Sequence, residues 1–138
     1  MKQFVLDCSM AMAWCFEEDS FKDSVEVLEA LSAFEAMVPS LWPLEVANAL
    51  IVAERHKRLT EAETHRFVSL LDSLPIIVDA HTHQKALNEI LVIGRDYQLT
   101  SYDASYLELS MRKGLALATF DQQLIKVCHK IGIPIFQN

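Results

Sequence analysis

Phe4-Val5-Leu6-Asp7-Cys8-Ser9 is an apolar run of strand-forming residues that ends in an acid. Its lack of polar alternation predicts a strand covered on both faces, the usual state of a central strand in a parallel sheet. Asp7 then stands at the strand's carboxyl end. In open parallel α/β sheets that edge gathers ligands, because helix N-termini and connecting loops meet there.

Downstream, the apolar stretch over residues 10–16 predicts a short helix whose entry Ser9 or Asp7 can cap, broken by Glu17, Glu18 and Asp19. From Ser20, Val25, Leu28, Ala30, Leu31 and Phe34 recur near helical spacing and predict a helix of about four turns. Met37-Val38-Pro39 reads as a short strand, and Ser40 as the cap of a helix with Pro43 in its first turn that runs to about Lys57. Thr60 followed by Glu63 is a capping-box pattern opening a helix over 61–71, with Phe67, Leu70 and Leu71 on its apolar face. A strand over 74–78 leads into a helix over 82–96 with Ala86, Leu87, Ile90, Leu91 and Ile93 as its buried positions. Another helix follows Thr100 and stops at Gly114, then a strand over 115–119, a helix from Asp121 stopped by Gly132, and an edge strand over 133–136. Strands separated by one or two helices imply parallel pairing through right-handed crossovers, hence a three-layer α/β/α sandwich around a central parallel sheet.

The 138 residues are expected to form a single domain over 1–138. With 51% hydrophobic residues, 3 Gly and 4 Pro, the composition fits a compact globular fold and argues against disorder or low complexity. No apolar run reaches the roughly 20 residues that span a bilayer, and the start does not read as a signal peptide, so no membrane association and a cytoplasmic location are expected. Cys8, Cys15 and Cys128 are too few and too irregularly spaced for a disulfide scaffold or a zinc site, and read as reduced thiols. A formal net charge of -7 argues against holding nucleic acid by bulk electrostatics; any such contact is local or carried by cations.

Three further acids fall where the same sheet edge is predicted. Asp121 follows the strand over 115–119, Asp103 lies in the first turn of the preceding helix, and Glu45 in the first turns of the helix after the strand at Met37, with Asn48 nearly a turn further on. Taken singly, helix capping accounts for Asp103 and Asp121. It accounts less well for Glu45 and least for Asp7. Four carboxylates about 5 Å apart at an effective dielectric near 20 repel by about 3 kcal/mol per pair, roughly 20 kcal/mol in all. That exceeds the typical domain stability of about 5 to 15 kcal/mol. A cluster of this kind must shift its pKa values or hold cations, and an all-oxygen site suits Mg²⁺ or Mn²⁺.

Asp7 with Ser9, Pro43-Leu44-Glu45-Val46-Ala47-Asn48-Ala49-Leu50, Ser101-Tyr102-Asp103-Ala104-Ser105-Tyr106-Leu107-Glu108-Leu109 and Leu117-Ala118-Thr119-Phe120-Asp121 together resemble the PIN-domain ribonucleases, in particular VapC-type toxins. The resemblance implies a metal-dependent endoribonuclease with catalytic, metal-holding acids at Asp7, Glu45, Asp103 and Asp121. Ser9 and Thr119 match the hydroxyl positions beside the first and last of them. It further implies an RNA substrate, Mg²⁺ or Mn²⁺ as cofactor, a homodimer, and a cognate antitoxin whose basic tail enters the acidic pocket.

Other residues carry weaker signals. His81 and His83 flank Thr82 at a metal-binding spacing but have no Cys nearby, and read as exposed loop histidines. An adjacent carboxylate disfavours a Cys8 thiolate. Trp14, Trp42, Tyr102 and Tyr106 can stack on bases, although packing is the commoner duty. Arg55, Lys57 and Arg58 are accounted for by the C-terminal end of the helix carrying Glu45, with phosphate contact as the alternative. A haloacid-dehalogenase-like phosphatase needs a second Asp where Ser9 stands, and a response-regulator-like receiver needs a basic partner that residues 133–136 do not offer. The rival from a different class is a non-catalytic PIN-like binding module whose acidic pocket receives a basic segment of a partner protein.

Overall fold

The computed structural model describes residues 2–16 and 21–137. The expected acidic break at Glu17, Glu18 and Asp19 and the helix start at Ser20 lie outside the described residues. Four parallel strands, β1 (Lys2–Leu6), β2 (Phe34–Val38), β3 (Ile76–Val78) and β4 (Leu117–Ala118), lie in the order β3-β2-β1-β4 and form the central layer of an α/β/α sandwich. Phe4, Val5 and Leu6 are fully buried, as expected of a strand with a neighbour on each side and helices above and below.

Register brings the strand ends level. Leu6 pairs with Ala118 and Val38 with Val78, so Asp7, Thr119, Pro39 and Asp79 leave the sheet together at its carboxyl edge. The chain steps outward from β1 to β2 and β3, then returns to the other side of β1 for β4. That reversal makes the β1–β4 boundary a topological switch point, where the flanking loops diverge and leave a crevice.

The helices are α1 (Cys8–Cys15), α2 (Phe21–Ala30), α3 (Trp42–Arg55), α4 (Glu61–Ser73), α5 (Thr82–Lys85) continuing through a π-helical turn (Ala86–Ile90) into α6 (Leu91–Tyr97), then α7 (Ser101–Lys113) and α8 (Gln122–Ile131). α7 lies against β1 and β4, which carries residues of its first turn to the switch point. The Thr60–Glu63 capping box forms, Pro43 sits in the first turn of α3, and Gly114 and Gly132 adopt the left-handed conformation that ends α7 and α8.

Several local expectations are corrected. α1 begins at Cys8, placing Ser9 inside its first turn, and Asp7 occupies the N-cap position without capping through its side chain. Phe34 opens β2 instead of closing α2: it pairs opposite Lys2, and its ring packs edge-on to Phe4 and Phe136, so sheet pairing outweighs the helical spacing. Leu41, not Ser40, is the N-cap of α3; the Ser40 amide donates to Thr82 Oγ1 at 3.0 Å. Leu87 and Leu91 are exposed, 88% and 46%. The inward face carries Thr82, Ile90 and Ile93, and Leu87 and Leu91 lie one position round from it. Strands expected over 74–78 and 115–119 shorten to 76–78 and 117–118, and residues 133–136 form only a parallel bridge from Ile135 to Leu117. Phe136 nonetheless stacks on Phe4, ring centroids 4.0 Å apart, which anchors this last segment.

Candidate active site

Asp7 follows β1 directly. Its amide donates to the Ala118 carbonyl at 3.0 Å, which ties it to the end of β4, and its side chain is buried. Oδ2 accepts hydrogen bonds from Ser9 Oγ at 2.8 Å and from Thr119 Oγ1 at 2.6 Å. Thr119 Oγ1 also accepts from the Asp121 amide at 3.0 Å, so one hydroxyl links the two loops at the switch point. Both hydroxyl positions singled out in the sequence thus touch Asp7.

Asp121 is the N-cap of α8, where Oδ1 accepts from the Leu124 amide at 2.9 Å. It therefore caps its helix as well as facing the crevice. Asp103 does not cap α7: that duty falls to Thr100, whose hydroxyl accepts from the Asp103 amide at 3.1 Å. The Asp103 carboxylate is half-buried and is left to the site.

Glu45, on the first turn of α3, is held by a residue the sequence reading assigned to packing. The fully buried Tyr106 donates its hydroxyl hydrogen to Glu45 Oε1, and the Tyr106 hydroxyl oxygen accepts from the Cys8 amide at 3.3 Å. α1, α3 and α7 thereby meet at one phenol. The available signal was the spacing: Tyr106 lies three residues after Asp103, on the same helix face.

Electrostatics show that the four acids share a region. Burial raises the Asp7 pKa from its ordinary value and outweighs the hydroxyls of Thr119 and Ser9; the Asp121 charge adds to the rise. Glu45 is raised by burial, partly offset by Tyr106, and further by Asp7 and Asp103. Asp103 is raised by burial, then by Asp121 and Asp7. The Cys8 thiol is pushed up to about 12 by burial and by Glu45 and Asp7, which leaves it a poor nucleophile.

Among the described residues, no three Asp, Glu, His or Cys groups are drawn tightly enough together to form a closed ion cage. The donor set is nevertheless all oxygen and its charges oppose one another. A hydrated Mg²⁺ or Mn²⁺ held through one or two carboxylates, with water filling its shell, fits such donors. His81 and His83 are exposed, and Trp14 is committed to packing, its Nε1 donating to the Ser24 carbonyl at 2.7 Å. Arg58 lies over the Phe16 ring, 4.2 Å from its centroid.

A second polar group escaped the sequence reading. Buried Asp79 and Glu108 both bind the Arg112 guanidinium, at distances down to 2.6 and 2.8 Å, and Thr82 Oγ1 donates to Asp79 at 2.8 Å. Its only sequence trace was the four-residue spacing of Glu108 and Arg112 on α7.

A three-layer α/β/α fold that brings carboxylates to the carboxyl edge of a parallel sheet, at its switch point, defines a class of acidic-site α/β proteins. Within that class the PIN-domain family model matches residues 4–130, and the chain belongs to the PIN-domain family, whose members are nucleases. Among solved structures, PAE2754 from Pyrobaculum aerophilum is similar, with 25% sequence identity, a TM-score of 0.67, and coverage of 91% of this chain and 78% of that one. Mycobacterium tuberculosis VapC20, a toxin that cleaves the sarcin-ricin loop, shares the fold at 15% identity and TM-score 0.66, over 90% of this chain and 94% of that one. A search of curated proteins finds no match.

Proposed function

We propose that this chain is a metal-dependent endoribonuclease that hydrolyses RNA phosphodiesters, and that it acts as the toxin of a toxin–antitoxin pair. The observation that carries this reading is the convergence of Asp7, Glu45, Asp103 and Asp121 from separate segments on the switch point, where burial, and after it the charges of neighbouring acids, make Asp7, Glu45 and Asp103 costlier to ionise. Membership in a nuclease family and likeness to VapC20 support it.

Asp7, Asp103 and Asp121 would hold one or two Mg²⁺ or Mn²⁺ ions, directly or through water. When bound, such an ion screens the phosphate charge, acidifies a water and stabilises the leaving oxygen. Ser9 and Thr119 keep the Asp7 carboxylate in one orientation. Tyr106 occupies one oxygen of Glu45; the other would help hold the ion or orient the attacking water.

An acidic pocket of this kind also accepts the basic tail of an antitoxin, and the exposed Leu87 and Leu91 offer an apolar surface for a homodimer. The test is cleavage of single-stranded and hairpin RNA with and without millimolar Mn²⁺, in the wild type and in Asp7→Asn. The expected result is Mn²⁺-dependent cleavage that Asp7→Asn abolishes in a folded protein. If Mn²⁺ neither raises thermal stability nor enables cleavage of any RNA, the chain is a binding module for a basic protein segment.

A further inference from the structure

Beside Glu45 lies an open cavity of about 510 Å³ walled by Leu41, Leu44, Asn48, Ala49 and Tyr102, with Cys8 beneath. Glu45 itself forms part of the wall, so the cavity and the acidic site share a boundary. Two large side chains here are left in solvent: Leu44 is 75% and Tyr102 61% exposed. Tyr102 directly precedes Asp103, and Asn48 follows Glu45 by nearly one helical turn; both are exposed.

We propose that this cavity is the subsite for a nucleobase of the RNA strand next to the scissile phosphate, with Tyr102 as its stacking platform and the Asn48 amide reading the base edge. This rests on the ribonuclease reading. A chain of net charge -7 gains little affinity for RNA from bulk phosphate electrostatics, so non-ionic anchors beside any bound cation add to it. Stacking of a base on an aromatic ring is worth roughly 1 to 3 kcal/mol and needs no cation. The cavity supplies that ring, apolar walls for the base face, and one amide able both to donate and to accept. A basic peptide tail matches the carboxylates but not these walls, which carry no charge apart from Glu45 at the boundary.

The experiment compares wild type with Tyr102→Ala, Tyr102→Phe and Asn48→Ala in two measurements. One is Kd for a fluorescent randomised single-stranded RNA with Ca²⁺ in place of Mn²⁺, which needs no cleavage. The other is the KM and sequence preference of Mn²⁺-dependent cleavage. Tyr102→Ala should raise Kd and KM by roughly tenfold, in line with one lost stack, and more than it lowers kcat. Tyr102→Phe should restore most of that loss, and Asn48→Ala should relax base preference at one position adjoining the cut. If RNA is cleaved and Tyr102→Ala leaves Kd, KM and preference unchanged, the subsite is overturned while the nuclease reading stands. Tyr102-dependent binding without cleavage by the wild type supports the subsite and removes the nuclease. If Tyr102→Ala instead dissociates a dimer or releases a basic peptide at unchanged Kd for RNA, a protein fills the cavity and the proposal fails.

Discussion

Thr119 donates its hydroxyl hydrogen to Oδ2 of Asp7 across 2.6 Å, bridging the ends of β4 and β1 from within the crevice. Because Thr119 Oγ1 also accepts from the Asp121 amide, this hydroxyl sets the spacing of two of the proposed metal-holding acids. Thr119→Val keeps the shape and removes the donor, leaving Asp7 with its contacts to Ser9. An under-satisfied buried carboxylate should cost about 1 to 3 kcal/mol in urea unfolding. Loss of an orienting partner should weaken Mn²⁺ binding roughly 10- to 100-fold. Thr119→Ser should retain both properties; unchanged Mn²⁺ affinity in Thr119→Val would remove Thr119 from the site.

Asp103 offers the opposite case, a half-buried acid made costlier to ionise by burial first and then by the charges of Asp121 and Asp7. Asp103→Asn relieves that repulsion without changing volume. The metal-free variant should melt at a higher temperature than the wild type, yet show no Mn²⁺-induced rise in Tm and no RNA cleavage. A variant that cleaves at the wild-type rate would eliminate Asp103 from catalysis.

Acid titration should separate two kinds of carboxylate. Asp7, Glu45 and Asp103 have folded-state pKa values raised above their ordinary values, chiefly by burial, so the folded protein binds these protons more tightly than the unfolded chain. Stability of the metal-free protein therefore falls as pH rises out of the ordinary carboxylate range through those raised values. For Asp79 the sign reverses: hydrogen bonds from Arg112 and Thr82 overcome the opposing effect of burial and hold it down at about 2, against an ordinary 3.8. Its contribution is present above that ordinary value and is lost as pH falls through about 2. Urea midpoints in EDTA should trace a dome. Saturating Mn²⁺ should flatten its alkaline side, and Asp79→Asn its acid side.

How much was legible in advance follows from the range of each interaction. Asp7 could be placed because an unalternating run such as Phe4-Val5-Leu6 has few other fates, and Asp103 and Asp121 because caps and stops are local chemistry written within four residues. Phe34 was misassigned because its helical spacing is local while its strand pairing with β1 is not. Tyr106 was assigned to packing because its partners, Glu45 and the Cys8 amide, lie 61 and 98 residues away in the chain. The same holds for Arg112 and Asp79, separated by 33 residues and joined only when β3 and α7 dock.

Exposed apolar side chains on the α5–α6 stretch carry a prediction of their own. Leu87 at 88% exposure gains nothing from the folded monomer, yet lies one helical turn from the exposed Leu91. If this surface joins two copies, Leu87→Asp should reduce the molar mass in light scattering from dimer to monomer while leaving the circular dichroism of the fold unchanged. An unaltered mass would place the interface elsewhere.

Arg112 bridges two buried acids with its planar fork: Nη1 and Nη2 reach Asp79 at 3.1 and 2.6 Å, and Nε and Nη2 reach Glu108 at 2.8 and 3.1 Å. Asp79 is only 3% and Glu108 only 4% exposed, so neither finds water when the guanidinium is lost. Arg112→Met leaves both buried carboxylates without an opposite charge and should cost about 3 to 5 kcal/mol in urea unfolding. Arg112→Lys should recover little, because one ammonium cannot make paired contacts to two carboxylates at once. The triple change Arg112→Met, Asp79→Asn, Glu108→Gln removes the uncompensated charge together with the bridge, and should lie closer to wild type than Arg112→Met alone. A single Arg112→Met variant of wild-type stability would show that the cluster adds nothing to the docking of β3 against α7.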